Sequence, residues 1–260
     1  MEAEIEILIP AINNSYFTCS LINSIKRHTK IPFKIIYIDN GSEVSEFNNV
    51  VNSLENTDHL IIRNDKNLGF VKAINQGLKL TQAKYICFQN NDTLIFNNCF
   101  ERLILHLKNN HDAGIVSPIA SVGGGKQGIE IIKSSLNWFD YEINKIDINR
   151  YSHAEIDEFL YKTFKSKALE INRSLAFFSV VIPRQTFEKI GYLDERYGLG
   201  LFDDDDYCQR ILSENLKLLL ALDVYVWHLA STTFKSMHSN NEFMKMLIDN
   251  QKIFQDKWNL

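Results

Sequence analysis

The feature that most constrains the fold is an alternation that fills the first half of the chain. Short apolar runs take turns with amphipathic stretches of helical period. Ile5-Glu-Ile-Leu-Ile9 reads as a strand that Pro10 closes, and Phe17, Leu21, Ile22 and Ile25 follow at helical spacing. Phe33 to Ile38 reads as a second strand, ended by Asp39-Asn-Gly-Ser42. A polar helix then precedes a third strand at His59 to Ile62. A helix over about 70–80, a strand at Tyr85 to Phe88 and a helix marked by Phe100, Leu103, Ile104 and Leu107 complete the pattern. Strands that alternate with helices build parallel β/α units, so the expected fold is an α/β sheet, mixed but mostly parallel, flanked by helices. Such sheets bind ligands beyond the carboxyl ends of their strands. Asp39, Asn40, Asn90 and Asp92 all fall just past strand ends.

The second half is less regular. Residues 120–172 hold a glycine cluster, Gly123-Gly-Gly125, and a charged amphipathic stretch from Ile156 to Phe164. A strand is expected from Ala176 to Ile182, ended by Pro183, and a terminal helix is marked by Phe243, Leu247, Ile248, Phe254 and Trp258. The chain has 260 residues, of which 45% are hydrophobic, enough for one large core. No repeat or linker interrupts it. The expectation is one domain, with a nucleotide-binding half over 1–118 and an acceptor and catalytic half over 119–260 that carries an insert at about 120–172.

Net charge is −4 with mixed signs, which gives no basic face for nucleic acid. Four scattered cysteines without a Cys-x-x-Cys pattern read as free thiols in a reducing compartment. The start, Met-Glu-Ala-Glu-Ile-Glu, lacks the basic region of a signal peptide, and no run approaches the roughly 18 apolar residues of a membrane span. The expected location is the cytoplasm, with peripheral contact at the inner membrane face left open.

Three polar groupings carry the chemistry. Asp203 to Asp206 are four consecutive carboxylates, directly after the apolar run Gly198-Leu-Gly-Leu-Phe202. Successive helical residues point about 100° apart, so these four cannot share one role. Asp206 and Arg210, four apart, suit an ion pair, and Asp203 suits a helix cap. That leaves Asp204 or Asp205 for a cleft. The second grouping is Asn90-Asn-Asp92, and the third is His228 in Val226-Trp-His-Leu-Ala-Ser-Thr-Thr-Phe234. A bland account exists for each: a solvated helix start, a turn, and a packed histidine. Their order nevertheless suits a metal-assisted transfer site with a separate carboxylate base.

In register, the chain resembles the inverting GT-A glycosyltransferases of family 2, and especially their rhamnosyltransferase-like branch. The matching pieces are Ile9-Pro10 with Asn13, Ile38-Asp-Asn-Gly-Ser42, Asn67-Leu-Gly-Phe70 with Asn75 and Gly77, and Asn90-Asn-Asp92. Gly191-Tyr-Leu-Asp-Glu195, Phe202 to Arg210, His228 with Thr233-Phe234, and Asn250 to Trp258 continue the match. The resemblance implies a nucleotide-sugar donor such as dTDP-rhamnose or a UDP-sugar, a glycan or lipid-linked glycan acceptor, and Mn2+ or Mg2+. It implies that Asp204 is the base, with the shorter Asp203 standing where the family has glutamate. Asp92 and His228 would manage metal and diphosphate, and Asn90 replaces the first aspartate of the usual Asp-x-Asp motif. Asp39 would contact base or ribose, with Pro10, Asn13, Asn67, Gly69, Phe70, Asn75 and Asn91 around the donor. Asp203 and Asp205 would support the acceptor side.

Two rival functions use similar parts. A sugar nucleotidyltransferase normally carries a glycine- and basic-rich loop after its first strand, and Pro10 to Ser15 has neither residue type. A non-catalytic nucleotide-sugar-binding module is compatible with Asn90. Gly123 to Gly128 fits G-x-G-x-x-G formally, but the strand-like Gly-Ile-Glu-Ile-Ile after it does not open the helix that a dinucleotide fingerprint requires. Trp138, Phe139 and Tyr141 suit either a sugar platform or core packing. Met237, Met244 and Met246, near lysines, suit docking on the same domain, with a membrane or second subunit as the alternative.

Overall fold

The computed structural model describes residues 2–122, 127–130, 150–229 and 240–260. The glycine cluster at 123–125, the aromatics Trp138, Phe139 and Tyr141, Thr233, Phe234 and Met237 lie outside the described residues.

Strand β1 (Ile5–Ala11) is buried along its whole length, as a central strand covered on both faces must be. Helix α1 (Ser15–His28) leads to β2 (Phe33–Asp39), α2 (Val44–Ser53) to β3 (His59–Arg63), and α3 (Phe70–Leu78) to β4 (Tyr85–Gln89). Then come β5 (Thr93–Ile95), α4 (Cys99–Asn109), β6 (Ala113–Ala120), α5 (His153–Phe164), β7 (Ala168–Ile171) and β8 (Ser179–Pro183). The chain continues through α6 (Arg184–Ile190), a 3-10 turn (Glu195–Tyr197), α7 (Asp203–Ser213), β9 (Lys217–His228) and α8 (Asn240–Trp258). The sheet order is β3-β2-β1-β4-β8-β6-β9-β5, with β7 beside β9. Strands β1 to β4 pair in parallel, as the alternation predicts. Strand β8 runs antiparallel to β4 and β6, while β5 and β7 run antiparallel to β9.

Side-chain alternation along β1 splits the core in two. Ile5, Ile7 and Ile9 pack with Leu21, Ile22 and Ile25 of α1 on one face. Leu8 packs with Ile74 of α3 and Tyr207 of α7 on the other. A third cluster joins α5 to β9 through Ile156, Leu160, Leu222 and Tyr225. A buried ion pair fixes that contact: Arg102 on α4 reaches both carboxylate oxygens of Asp157 on α5, at 2.6 and 2.8 Å. The later part of the expected insert is thus built into the main sheet and core.

Several expectations are corrected. Pro10 does not end β1, which pairs with β2 through Ala11. Its missing N–H would face β4, and the β4 ladder stops at Leu8, so nothing is lost. The strand after Ala176 starts only at Ser179. Ile129 and Glu130 are helical, not strand-like, and Ile129 is wholly buried in the third cluster. Strands β5, β6, β7 and β9 are additions to the expected set. Pro118 sits in β6 at a register shift, beyond its single pairing with β8 at Val116, where a proline costs no ladder bond.

Candidate functional site

A cleft of about 420 Å³ opens across the carboxyl ends of β1, β2 and β4. Pro10, Ala11 and Asn40 form one wall, and Asn67, Gly69 and Phe70 a second. Asn90, Asn91 and Asp92, on the turn between β4 and β5, line the cleft together with Asp203 and Asp204 at the start of α7. His228, Phe178 and Phe243 complete the lining used below.

The Asn90 turn is tied from several sides. The Asn90 amide donates to Phe178 O at 2.8 Å, and Thr93 Oγ1 donates to Asn90 O at 2.6 Å. Asn91 Nδ2 donates to Thr18 Oγ1 at 3.1 Å. The pairing of Thr93 with His228 across β5 and β9 brings the histidine beside the turn. His228 Nε2 lies 3.4 Å from Asp92 Oδ1. Its other ring nitrogen, Nδ1, is 3.1 Å from Val122 O, which can only accept, so Nδ1 carries a proton. Metal ligation through Nε2 requires the tautomer with its proton on Nδ1, which is the one the Val122 contact favours. Phe178 stacks on the ring at 5.1 Å and 17° and holds its plane. One carboxylate oxygen and one imidazole nitrogen at this separation fit neighbouring positions on a single divalent cation. No group of three His, Cys, Asp or Glu suited to a metal occurs among the described residues.

The four aspartates divide as helical spacing requires. Asp203 and Asp204 line the cleft. Asp206 turns inward, wholly buried, and receives Arg210 Nε at 3.1 Å, Trp258 Nε1 at 3.0 Å and Lys257 Nζ at 2.7 Å. Asp205 does not line the cleft; its amide donates to Asp204 Oδ1 at 2.9 Å. Asp203 does not cap the helix. Phe202 occupies the cap, in left-handed conformation at φ 66°, without a side-chain cap bond. Burial pushes Asp204 well above the usual carboxylate range, and the neighbouring charges of Asp203 and Asp205 push the same way. Burial likewise raises Asp203 to about 6.

The approach to α7 is strained. Gly198, Gly200, Leu201 and Phe202 all have positive φ, at 58°, 133°, 76° and 66°. For branched or bulky residues such as Leu201 and Phe202 this costs about 1–3 kcal/mol each, so the surroundings must impose it. Gly69 packs directly against this segment: a Cβ there would lie 2.6 Å from Leu199 Cα, and its φ is 85°. Asn67 Oδ1 accepts from the Gly69 amide at 2.9 Å and holds the turn.

Three expected donor residues stand elsewhere. Asp39 is wholly buried behind the wall, 3.3 Å from Arg63 Nε, and Asn40 takes the lining position. Asn13 does not line the cleft. It ties the α1 entry to the loop after β2, its amide donating to Ser42 Oγ and its Oδ1 accepting from the Glu43 amide. Asn75 bonds both backbone groups of Leu193, at 2.9 Å each, and so joins α3 to the segment before α7. The Ala176-Phe-Phe178 segment lines the cleft, as a specificity segment read from the sequence would, whereas Leu199 to Leu201, the stacking of Phe178 on His228, and Phe243 are cleft features that sequence reasoning did not assign. The apolar run before the acids was visible, but its contact with Gly69 was not.

The fold is shared with solved structures of nucleotide-sugar transferases. The mannosyltransferase PcManGT from Pyrobaculum calidifontis, in complex with GDP-Man and Mn2+, superposes with a TM-score of 0.62 at 12% identity, over 88% of this chain and 57% of that one. GalNAc-T7 with UDP, GalNAc and Mn2+ superposes with a TM-score of 0.63 at 16% identity, over 86% of this chain and 42% of that one. The architecture is therefore GT-A. The model of glycosyl transferase family 2 matches residues 6–169, and the chain belongs to that family. It is also 27% identical over 110 residues to an uncharacterized glycosyltransferase of Rickettsia bellii (strain RML369-C), covering 42% of this chain and 16% of that protein. The chain thus spans only part of each of these relatives.

Proposed function

We propose that this protein is an inverting, metal-assisted glycosyltransferase that moves one sugar from a nucleoside-diphosphate donor to a hydroxyl of a glycan acceptor. The observation that carries the reading is the placement of the Asp92–His228 pair and the Asp203–Asp204 carboxylates on the walls of one cleft. An acceptor oxygen attacks the anomeric carbon as its proton passes to Asp204. The bond from that carbon to the diphosphate oxygen breaks, and its electron pair leaves with the nucleoside diphosphate. Asp92 and His228 would hold a Mn2+ or Mg2+ ion, which would supply positive charge against the diphosphate, and the imidazole favours Mn2+. Asn40, Asn67 and Asn90 offer amide groups to the donor, while Pro10, Gly69 and Phe70 shape its pocket.

A dTDP-rhamnose-like or UDP-sugar donor and a lipid-linked surface glycan at the inner membrane face fit the rhamnosyltransferase-like pattern of the motifs. No helix among the described residues is long and apolar enough to cross a membrane. The test is release of nucleoside diphosphate from a panel of nucleotide sugars with Mn2+. Asp204→Asn should still bind donor and lose release by about 10²–10⁴-fold, the usual worth of a positioned base. Undiminished release in Asp204→Asn refutes the mechanism, and tight donor binding with no release from the wild type indicates a binding module.

A further inference from the structure

The C-terminal helix α8 holds the segment that aims the base. Asn250, buried on α8, spreads the two hydrogens of its amide over three backbone carbonyls: Tyr197 O at 3.0 Å, Gly200 O at 2.7 Å and Leu201 O at 3.0 Å. Two of these belong to the run of positive φ that ends at Phe202, the residue before Asp203. Without Asn250, Gly200 O and Leu201 O would lose this donor, while Tyr197 O would keep its bond from the Gly200 amide at 3.1 Å, and Leu201 could relax towards negative φ. Relaxation there would rotate the first turn of α7, because Phe202 is its cap. Phe254, one turn along α8, packs its ring 5.6 Å from that of Phe202. On the other side, Phe70 N donates to Leu199 O at 3.2 Å, so the same segment also backs the donor wall.

We infer that Asn250 is a positioning residue for the transfer step, which fixes the direction of Asp204 through the left-handed segment Gly200–Phe202. This rests on Asp204 being the base. Asn250 does not line the cleft, so its loss should change turnover without removing donor contacts.

The experiment compares wild type, Asn250→Asp, Asn250→Ala, Trp258→Phe and Asp204→Asn. Asn250→Asp keeps the shape and replaces the donating group by an acceptor. Trp258→Phe removes a different α8 bond, to Asp206, and leaves the three carbonyls bonded. Calorimetric titration with whichever of UDP, GDP and dTDP binds the wild type with Mn2+ counts folded sites, and nucleoside diphosphate release is then expressed per site. The expected result is a fall in kcat of at least about 10-fold per folded site in both Asn250 variants, with nucleotide affinity and donor KM within about 3-fold of wild type. Trp258→Phe should keep kcat within about 2-fold. Wild-type kcat per site in Asn250→Asp, beside an inactive Asp204→Asn, overturns the positioning role alone. Full activity in Asp204→Asn overturns the base assignment and the positioning role together. An equal fall in Trp258→Phe shows general loosening of α8 and also overturns it.

Discussion

Replacing Asp203 by asparagine should stabilise the protein at neutral and alkaline pH. The side chain is only 5% exposed, and burial is the main reason its pKa rises from the ordinary 3.8 to about 6. Repulsion from Asp205 and Asp206 adds to the rise, and hydrogen bonds from the amides of Leu201 and Asp203 oppose it. Two units at about 1.4 kcal/mol each amount to about 3 kcal/mol. The folded value lies above the unfolded one, so the fold favours the protonated carboxyl. The contribution is fully present below about pH 4 and is lost as pH rises through about 6. Asparagine keeps the shape and does not titrate. The stability of Asp203→Asn minus that of wild type should therefore grow by about 3 kcal/mol between about pH 4 and about pH 8. Urea unfolding of both proteins across that range reads the difference directly, provided the m-values agree. A difference that stays constant within about 0.5 kcal/mol, or that grows in favour of wild type, refutes the claim that cleft burial strains this acid.

The same chemistry sets the pH profile of the proposed reaction. The base must be ionised and Asp204 is pushed up, so release should fall as pH drops through a value well above the usual carboxylate range; an acid limb near pH 4 would contradict this. Gly69→Ala places a Cβ against Leu199 at a φ of 85°, and should lower stability by about 1–3 kcal/mol and weaken nucleotide binding, read by melting and titration. Arg102→Met leaves Asp157 buried and unpaired by its arginine, and should cost about 3–5 kcal/mol in denaturant unfolding. A loss under about 1 kcal/mol would mean that α5 is held by apolar packing alone.

The parallel half of the sheet was legible because strands β1 to β4 have clear apolar runs and polar ends. Strand β9 was not, because Leu218 to Leu222 is a leucine-rich run that periodicity alone cannot separate from a buried helix. Strand β6 hid behind Gly114, Ser117 and Pro118, residues that read as loop until a register shift accommodates the proline. In the site, sequence order nominated Asp92, His228 and either Asp204 or Asp205, the family resemblance chose Asp204, and the structure brings Asp92, His228 and Asp204 to one cleft. It could not show which way a polar side chain turns at a strand or helix end. Asn75 turns to the buried Leu193 backbone, Asn13 to the loop after β2 and Asp39 to Arg63, and none of them lines the cleft. Asn250 was visible only as part of a closing motif, since its role is to bond carbonyls some 50 residues earlier in the chain.

The most direct measurement is a thermal-shift titration of UDP, GDP and dTDP, each with and without Mn2+, on wild type and His228→Ala. If the Asp92–His228 pair holds a cation that binds a diphosphate, one nucleotide should raise Tm only with Mn2+, and the rise should vanish in a folded His228→Ala. A Tm unchanged by every nucleotide, or a rise that survives the loss of the imidazole in full, would contradict the account.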